Sequence, residues 1–479
     1  MAQPAVAVLN VKVVNGQHKK IDVIKPVMNA VFWAARKEVE LDKDGKCSIS
    51  LDSTETGYLI LFANGKRWNV YMMKGDSIDM LVDTSNINTV SFFGNNAQGQ
   101  LLLNDKRIPQ NYSIVKSRFS GDSTLRWIVE NIDKEKIAKI NLFGALYDDK
   151  KIDSSFFSFA KLNLDYLYAT AIAEIISDDF YRIFYPNNHP LYKSSFNKEY
   201  EQYWQLLLQY FPPDHPDAFS LPSMESYVDH YIDHYLVDYK RWIAKDTSKV
   251  SHDIYLSKKM EVISQHFKGK MADLTEARRL YLNYIQEKYE KPLIGWYGSF
   301  QNRVTTQKYL PYLQSYHNKV VAYHNIANQN FDPKQFFLRN SKNINRFDDV
   351  KEQLKGSIYY VDIWATWCGP CKQEFKYKDS LERILKQYNI KTLYLSMDKD
   401  EQDTEWKTMI KFFKLNGTHL RTNNELRTDL SKLFWGGEGY AIPKYLLIGA
   451  DGTVLESDAA RPSDATTLRK QIEKHLKIN

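Results

Sequence analysis

A strand-like run, SIYYVDIW, leads through Ala365-Thr366-Trp367 straight into Cys368-Gly369-Pro370-Cys371, and an amphipathic stretch begins at once behind the cysteines. Few arrangements constrain a chain so tightly. The run is rich in β-branched and aromatic side chains, the signature of a strand. Phe375, Leu381, Ile384, Leu385 and Tyr388 then fall on one helical face. The dithiol is therefore expected where a strand hands over to a helix. A second strand (KTLYLSMD) follows, then a helix through Trp406, Ile410 and Phe413. A hairpin turning at Asp451-Gly452 (KYLLIGADGTVLES) and a last helix through Leu468, Ile472 and Leu476 complete the segment. This alternation predicts a mixed α/β sheet with helices on both faces over residues 333–479.

The position of the cysteines assigns them distinct roles. Cys368 falls at the helix start, where unpaired N–H groups and the helix dipole stabilise a thiolate, the nucleophile of thiol–disulfide exchange. Cys371, one turn on, is within reach to resolve a mixed disulfide and is shielded by the helix. Pro370 stiffens the first turn, where a missing N–H costs nothing. The rival readings fail on counting. A zinc site needs four ligands, and no second Cys or Cys/His pair follows at a suitable spacing. A structural disulfide between residues three apart closes too small a loop to stabilise the fold much. Three cysteines in 479 residues likewise exclude a disulfide-rich scaffold. No metal and no other cofactor is expected.

A chain of this length needs more than one hydrophobic core. Residues 1–104 read as short alternating runs with turn signals. Asp44-Gly45 stands between two such runs in KEVELDKDGKCSISLD, the form of a β-hairpin. Asn64-Gly65 and Lys74-Gly75-Asp76 punctuate the runs that follow. This segment predicts a small β-sandwich, with Cys47 a buried hydrophobe within a strand. From 105 to 332 the period becomes helical. Val228, Tyr231, Ile232, Tyr235, Leu236, Tyr239, Trp242 and Ile243 form one apolar face, and proline-rich loops (YPNNHPLY, FPPDHPDAFSLPS) separate the helices. Asp229, His230, Asp233 and His234 make a D-H-x-x-D-H pattern with two histidines at metal-ligand spacing. The glutamate of H-E-x-x-H is replaced by Tyr231, however, and a solvated helix flank accounts for the four residues.

The fold class is thus multidomain α+β: a β-sandwich (1–104), an α-helical domain (105–332) and an α/β domain (333–479). The net charge of +7 comes from lysines spread along the chain, which argues against nucleic-acid binding. No stretch approaches the length of a membrane helix. The start, MAQPAVAVLNVKV, shows no export signal, which fits either a cytoplasmic protein or a mature exported one.

VDIWATWCGPC resembles the active-site strand and turn of thioredoxin, and the resemblance extends over about 333–479, making that domain thioredoxin-like. It implies a cis-proline at Ile442-Pro443 facing the cysteines, and a buried carboxylate, Asp362, that assists proton transfer to Cys371. Small cytosolic thioredoxins carry a lysine near that aspartate; here the aligned position is Tyr394. Glu374 matches the acid of the CxxCKxE pattern in TlpA/ResA-like envelope reductases, as do SMDKD and AIPKYLLIGADGTVLES. Where that family usually has a proline two residues after the glutamate, this chain has Lys376, which removes the expected cause of a helix kink. VYMMKGDSIDMLVD and the run after it are similar to β-sandwich domains placed ahead of TlpA-like modules, often joined to them by a helical segment.

The resemblance implies a thiol–disulfide oxidoreductase that reduces protein disulfides. Cys368 attacks, Cys371 resolves, and Glu374 with Asp362 manages protons. Trp367, Gly369, Pro370, Ile442 and Pro443 form the surface that takes substrate. Implied partners are protein thiols or disulfides and an upstream thiol donor, and the implied location is the periplasm or the periplasmic face of the envelope. Two alternatives remain open: an envelope binding or scaffold protein with a regulatory dithiol, and a cytochrome c maturation reductase. Neither the oligomeric state nor the client follows from these residues.

Overall fold

The computed structural model describes residues 6–17, 19–63, 65–83, 89–119, 124–184, 199–243 and 252–476. The chain divides into two compact units, one of residues 1–281 with 295–315 and one of residues 282–294 with 316–479.

In the first unit, the strands among the described residues are β1 (Ala7–Val14), β2 (Lys20–Ile24), β3 (Arg36–Glu40), β4 (Lys46–Leu51), β5 (Gly57–Ala63), β6 (Lys66–Met72), β7 (Ser77–Asp83) and β8 (Thr89–Gly94). They form two four-stranded sheets ordered β4-β1-β7-β8 and β3-β2-β5-β6. β1 and β7 run parallel, whereas the other neighbours are antiparallel. Leu9, Val11, Ile78 and Met80 of one sheet share an apolar core with Val23, Leu59, Leu61 and Val70 of the other. Cys47 is half-buried among these residues, and burial pushes its thiol up to about 11.

The Asp44-Gly45 hairpin needs correcting. The turn is tight, with the Asp42 carboxylate accepting from the N–H groups of Asp44 and Lys46, each at 2.8 Å. Its two arms nevertheless go to different sheets, β3 to β2 and β4 to β1. The reason is burial: β3 is exposed along nearly its whole length, whereas β4 puts Ile49 and Leu51 into the core. By contrast β5 and β6 are joined directly, Ala63 opposite Lys66, with Gly65 at φ +76°; Asn64 lies outside the described residues.

Among the described residues the longest helices of this unit are Leu125–Asp148 and Ser154–Phe184. The loop YPNNHPLY lies outside the described residues. The helix that starts at Pro222–His230 does not keep its α period. It widens into a π-helix over Tyr231–Tyr239 before Lys240–Ile243. Such widening brings residues four apart nearly into line. Tyr231 stacks on Tyr235 at 5.9 Å, and Tyr235 on Tyr239 at 5.8 Å. The side chains of Trp242 and Ile243 lie outside the described residues.

The solvated flank expected for Asp229, His230, Asp233 and His234 is also corrected. His230 Nε2 lies 2.7 Å from Glu174 Oε2, and this bond, against the cost of burial, holds the Glu174 carboxyl down to about 2. Arg279 bridges Asp229 (2.7 Å) and Asp233 (3.1 Å), and Lys259 lies 2.8 Å from Asp233. Burial lowers His234 to about 4. The partners come from Ser154–Phe184, His252–His266 and Gly269–Ile285, so local periodicity could not reveal them.

In the second unit, the described strands are β9 (Gln335–Phe337), β10 (Ile358–Trp364), β11 (Ile390–Ser396), β12 (Gly417–Arg421), β13 (Lys444–Ile448) and β14 (Val454–Glu456). The sheet order is β14-β13-β10-β11-β12-β9, parallel from β10 to β9 and antiparallel across β10-β13-β14. Helices cover both faces. Alternation along β10 sends Val361 and Ile363 into the core shared with Phe347–Leu354, Asp403–Phe412 and Asn424–Trp435. Tyr360 points into the core built with Leu381, Ile384, Leu468 and Ile472 of Lys378–Gln387 and Ala465–Leu476. Asp362 shares the parity of Tyr360, and so the face.

Candidate active site

β10 stops at Trp364 because the chain turns, with Cys368 N–H donating to Ala365 O at 3.1 Å. Cys368 keeps an extended backbone and caps the helix Gly369–Glu374, its Sγ accepting from Cys371 N–H at 3.1 Å. Pro370 occupies the first turn of that helix. The two cysteines are joined as a disulfide. Both are buried, at 3% and 1% exposure, so accessibility does not separate attacker from resolver. The two differ in position: Cys368 alone stands at the helix start.

The helix breaks soon after. A single 3₁₀ turn, Phe375–Tyr377, separates it from Lys378–Gln387, so the break exists with Lys376 in place of a proline. Trp367 is 49% exposed, its ring 6.1 Å from that of Tyr440. Register places the proline: Ile363 lies opposite Lys444, which brings Ile442-Pro443 to the end of β10 where the cysteine turn begins. The Ile442-Pro443 bond is cis, and Ile442 packs against the core that holds both cysteines.

The strand before the dithiol and the helix after it each carry a buried carboxyl, Asp362 and Glu374. Asp362 is opposite Tyr394 on β11 and Tyr445 on β13. Burial, and then the charge of Glu374, push its carboxyl well above the usual range. Glu374 is 7% exposed and accepts from Ser463 N–H (2.9 Å) and Ser463 Oγ (3.0 Å), with Arg461 Nη1 3.7 Å away. Burial that raises a carboxyl's affinity for a proton suits it to take up a proton that a thiol gives away.

The sequence did not single out four further contributors. Lys372 is buried and donates to Glu287 O at 2.9 Å, and burial lowers its ammonium pKa. Ser463 and Arg461 reach Glu374 from a loop 89 and 87 residues away, a separation that leaves no local signal. Asp398 grips the turn before Cys368. It lies in SMDKD, which the sequence marked by resemblance without a role. Among the described residues no group of three or more His, Cys, Asp or Glu is arranged to hold a metal ion.

Residues 341–472 match the family model described as Redoxin. The thiol-disulfide oxidoreductase ResA of Bacillus thuringiensis (strain Al Hakam) is 26% identical over 127 residues, covering 26% of this chain and 65% of its own length. A thioredoxin of Staphylococcus aureus is 38% identical over 53 residues, 11% of this chain and 48% of its own length. Among solved structures, the thioredoxin domain of a thiol-disulfide oxidoreductase from Bacteroides vulgatus is 21% identical with a TM-score of 0.21, covering 26% of this chain and 81% of that one. The chain thus spans slightly less than two thirds of the ResA relatives it matches. The C-terminal part of the chain is a redoxin domain of the thioredoxin superfamily. Among the curated relatives it is similar to ResA oxidoreductases.

Proposed function

We propose that the protein is a thiol–disulfide oxidoreductase that reduces protein disulfides through Cys368 and Cys371. The observation that carries this reading is Cys368 at the helix start, its Sγ receiving the Cys371 N–H at 3.1 Å, because that environment favours a thiolate. In the reduced enzyme the Cys368 thiolate attacks one sulfur of a client disulfide. A mixed disulfide forms, and the other client sulfur leaves as a thiolate that takes up a proton. Cys371 passes its proton to Asp362, or through it toward Glu374, and attacks Cys368 Sγ. This releases the second client thiolate and leaves the Cys368–Cys371 disulfide, two electrons having passed to the client. A thiol donor then restores the dithiol.

Trp367, Gly369, Pro370 and the Ile442-Pro443 edge form the substrate surface in this reading, with an extended client segment pairing beside the dithiol. The resemblance to envelope reductases supports a periplasmic location. The front of the chain, with its two sheets packed as a β-sandwich (1–104) and its helical segment (105–332), would select or hold the client. Removing residues 1–332 tests that part: unchanged turnover of every protein client would contradict it. The reaction itself is tested by insulin reduction with dithiothreitol. Cys368→Ser is expected to abolish catalysis, and a variant that still catalyses it would overturn the reading.

A further inference from the structure

Asp398 is fully buried, at 0% exposure, just past the end of β11, and its carboxylate is bonded to the turn before the cysteines and to Ser396. Thr366 N–H donates to Oδ1 at 3.1 Å and to Oδ2 at 3.0 Å, and Thr366 Oγ1 donates to Oδ1 at 2.7 Å. Ser396 Oγ donates to Oδ2 at 2.7 Å and in turn accepts from Asp398 N–H at 3.1 Å. The backbone on either side is held as well, with Met397 N–H donating to Trp364 O at 2.8 Å and Arg427 Nη2 donating to Asp398 O at 3.0 Å. Thr366 is two residues before Cys368 and is itself 1% exposed.

Burying a carboxylate is costly unless its lone pairs are filled, and this one is filled chiefly by a single residue of the turn. A main-chain N–H and a hydroxyl captured together fix both the backbone and the rotamer of Thr366. The charged groups facing Asp398 from neighbouring elements are Glu405, on the helix Asp403–Phe412, Arg421, on β12, and Arg427, on the helix Asn424–Trp435.

We propose that Asp398 is the positioning residue of the dithiol: by clamping Thr366 it fixes the turn Ala365–Trp367 and so holds Cys368 Sγ against the start of the helix. The proposal deepens the oxidoreductase reading and rests on it. Its consequence is a Cys368 thiolate that depends on the hydrogen bonds of Asp398 and not on its charge.

The experiment uses the full chain with Cys371→Ser, reading the pH dependence of iodoacetamide alkylation at Cys368 by peptide mass spectrometry. With Asp398→Ala the apparent pKa of Cys368 should rise by about one unit, slowing alkylation at pH 7 about tenfold. Asp398→Asn keeps an acceptor for the Thr366 N–H and should restore the rate to within about twofold of the parent. An equal shift in both variants would overturn the proposal in favour of a charge effect. A lowered melting temperature with no shift in either would reduce Asp398 to fold support and overturn it equally. If Asp398→Ala does not fold, Thr366→Val against Thr366→Ser decides: slowing confined to the valine supports the clamp, and equal rates contradict it. Alkylation needs no turnover, so failure of the clamp and failure of the oxidoreductase reading are told apart by the insulin assay.

Discussion

The Glu374 carboxylate takes two hydrogen bonds from Ser463, one from the backbone N–H at 2.9 Å and one from the hydroxyl at 3.0 Å. This contact ties the helix that carries both cysteines to the loop ahead of the last helix. Glu374→Ala removes two hydrogen bonds between a buried carboxylate and the exposed Ser463 and should lower stability by about 1 kcal/mol, measured by denaturant unfolding. Glu374→Gln keeps one acceptor and should cost less. It also removes the negative charge that raises Asp362, so the Asp362 carboxyl should titrate lower, as followed by carbon NMR of the side chain. An unmoved Asp362 titration would contradict the coupling.

Asp362 makes stability depend on pH with a definite sign. Its folded pKa is raised, mainly by burial, so the folded state holds a proton that the unfolded state releases. The stabilisation is complete below the unfolded value, about 3.9, and is lost as pH rises through the folded value. Asp362→Asn cannot titrate. Relative to it, the wild type should lose up to about 1.4 kcal/mol per pH unit across that window. Denaturation midpoints of both proteins between pH 4 and 9 check this, and parallel curves would contradict it.

In the first unit, Arg279 is the shared partner of Asp229 and Asp233. Arg279→Ala removes a buried guanidinium shared by two part-exposed carboxylates, one of which keeps Lys259, and should destabilise that unit by about 1–3 kcal/mol, read by calorimetry. Because ion pairs and not a metal account for this cluster, EDTA should leave the melting temperature of the wild type unchanged. A chelator-sensitive transition would reopen the metal reading.

Gly369-Pro370 between the cysteines is the dipeptide of reducing thioredoxins, and the Cys368–Cys371 couple is expected near about −270 mV. A glutathione redox titration measures it. A value near about −120 mV would reverse the assigned direction.

What the sequence shows clearly is what local chemistry dictates. The β10 run alternates between two buried cores, so Asp362 and Tyr360 must share a face, and a proline cannot sit deep in the following strand, which sets Pro443 at its start. The turn at Asp44-Gly45 is equally local, but the pairing of its arms depends on which strand buries more apolar surface, and β3 buries almost none. The Ser463 contact to Glu374, the Arg279 contact to Asp229 and the Asp398 grip on Thr366 join residues 89, 50 and 32 apart. No periodicity or motif spacing encodes such contacts. They appear only when the fold closes.

The central claim is that Cys368 is the attacking sulfur. Reduced Cys371→Ala and Cys368→Ala variants of the full chain, each mixed with a disulfide-bonded protein client, test it directly, with trapped adducts mapped by peptide mass spectrometry. A mixed disulfide should accumulate on Cys368 in the Cys371→Ala protein, and none should form on Cys371 in the other. Adducts on Cys371, or none on Cys368, would contradict the account.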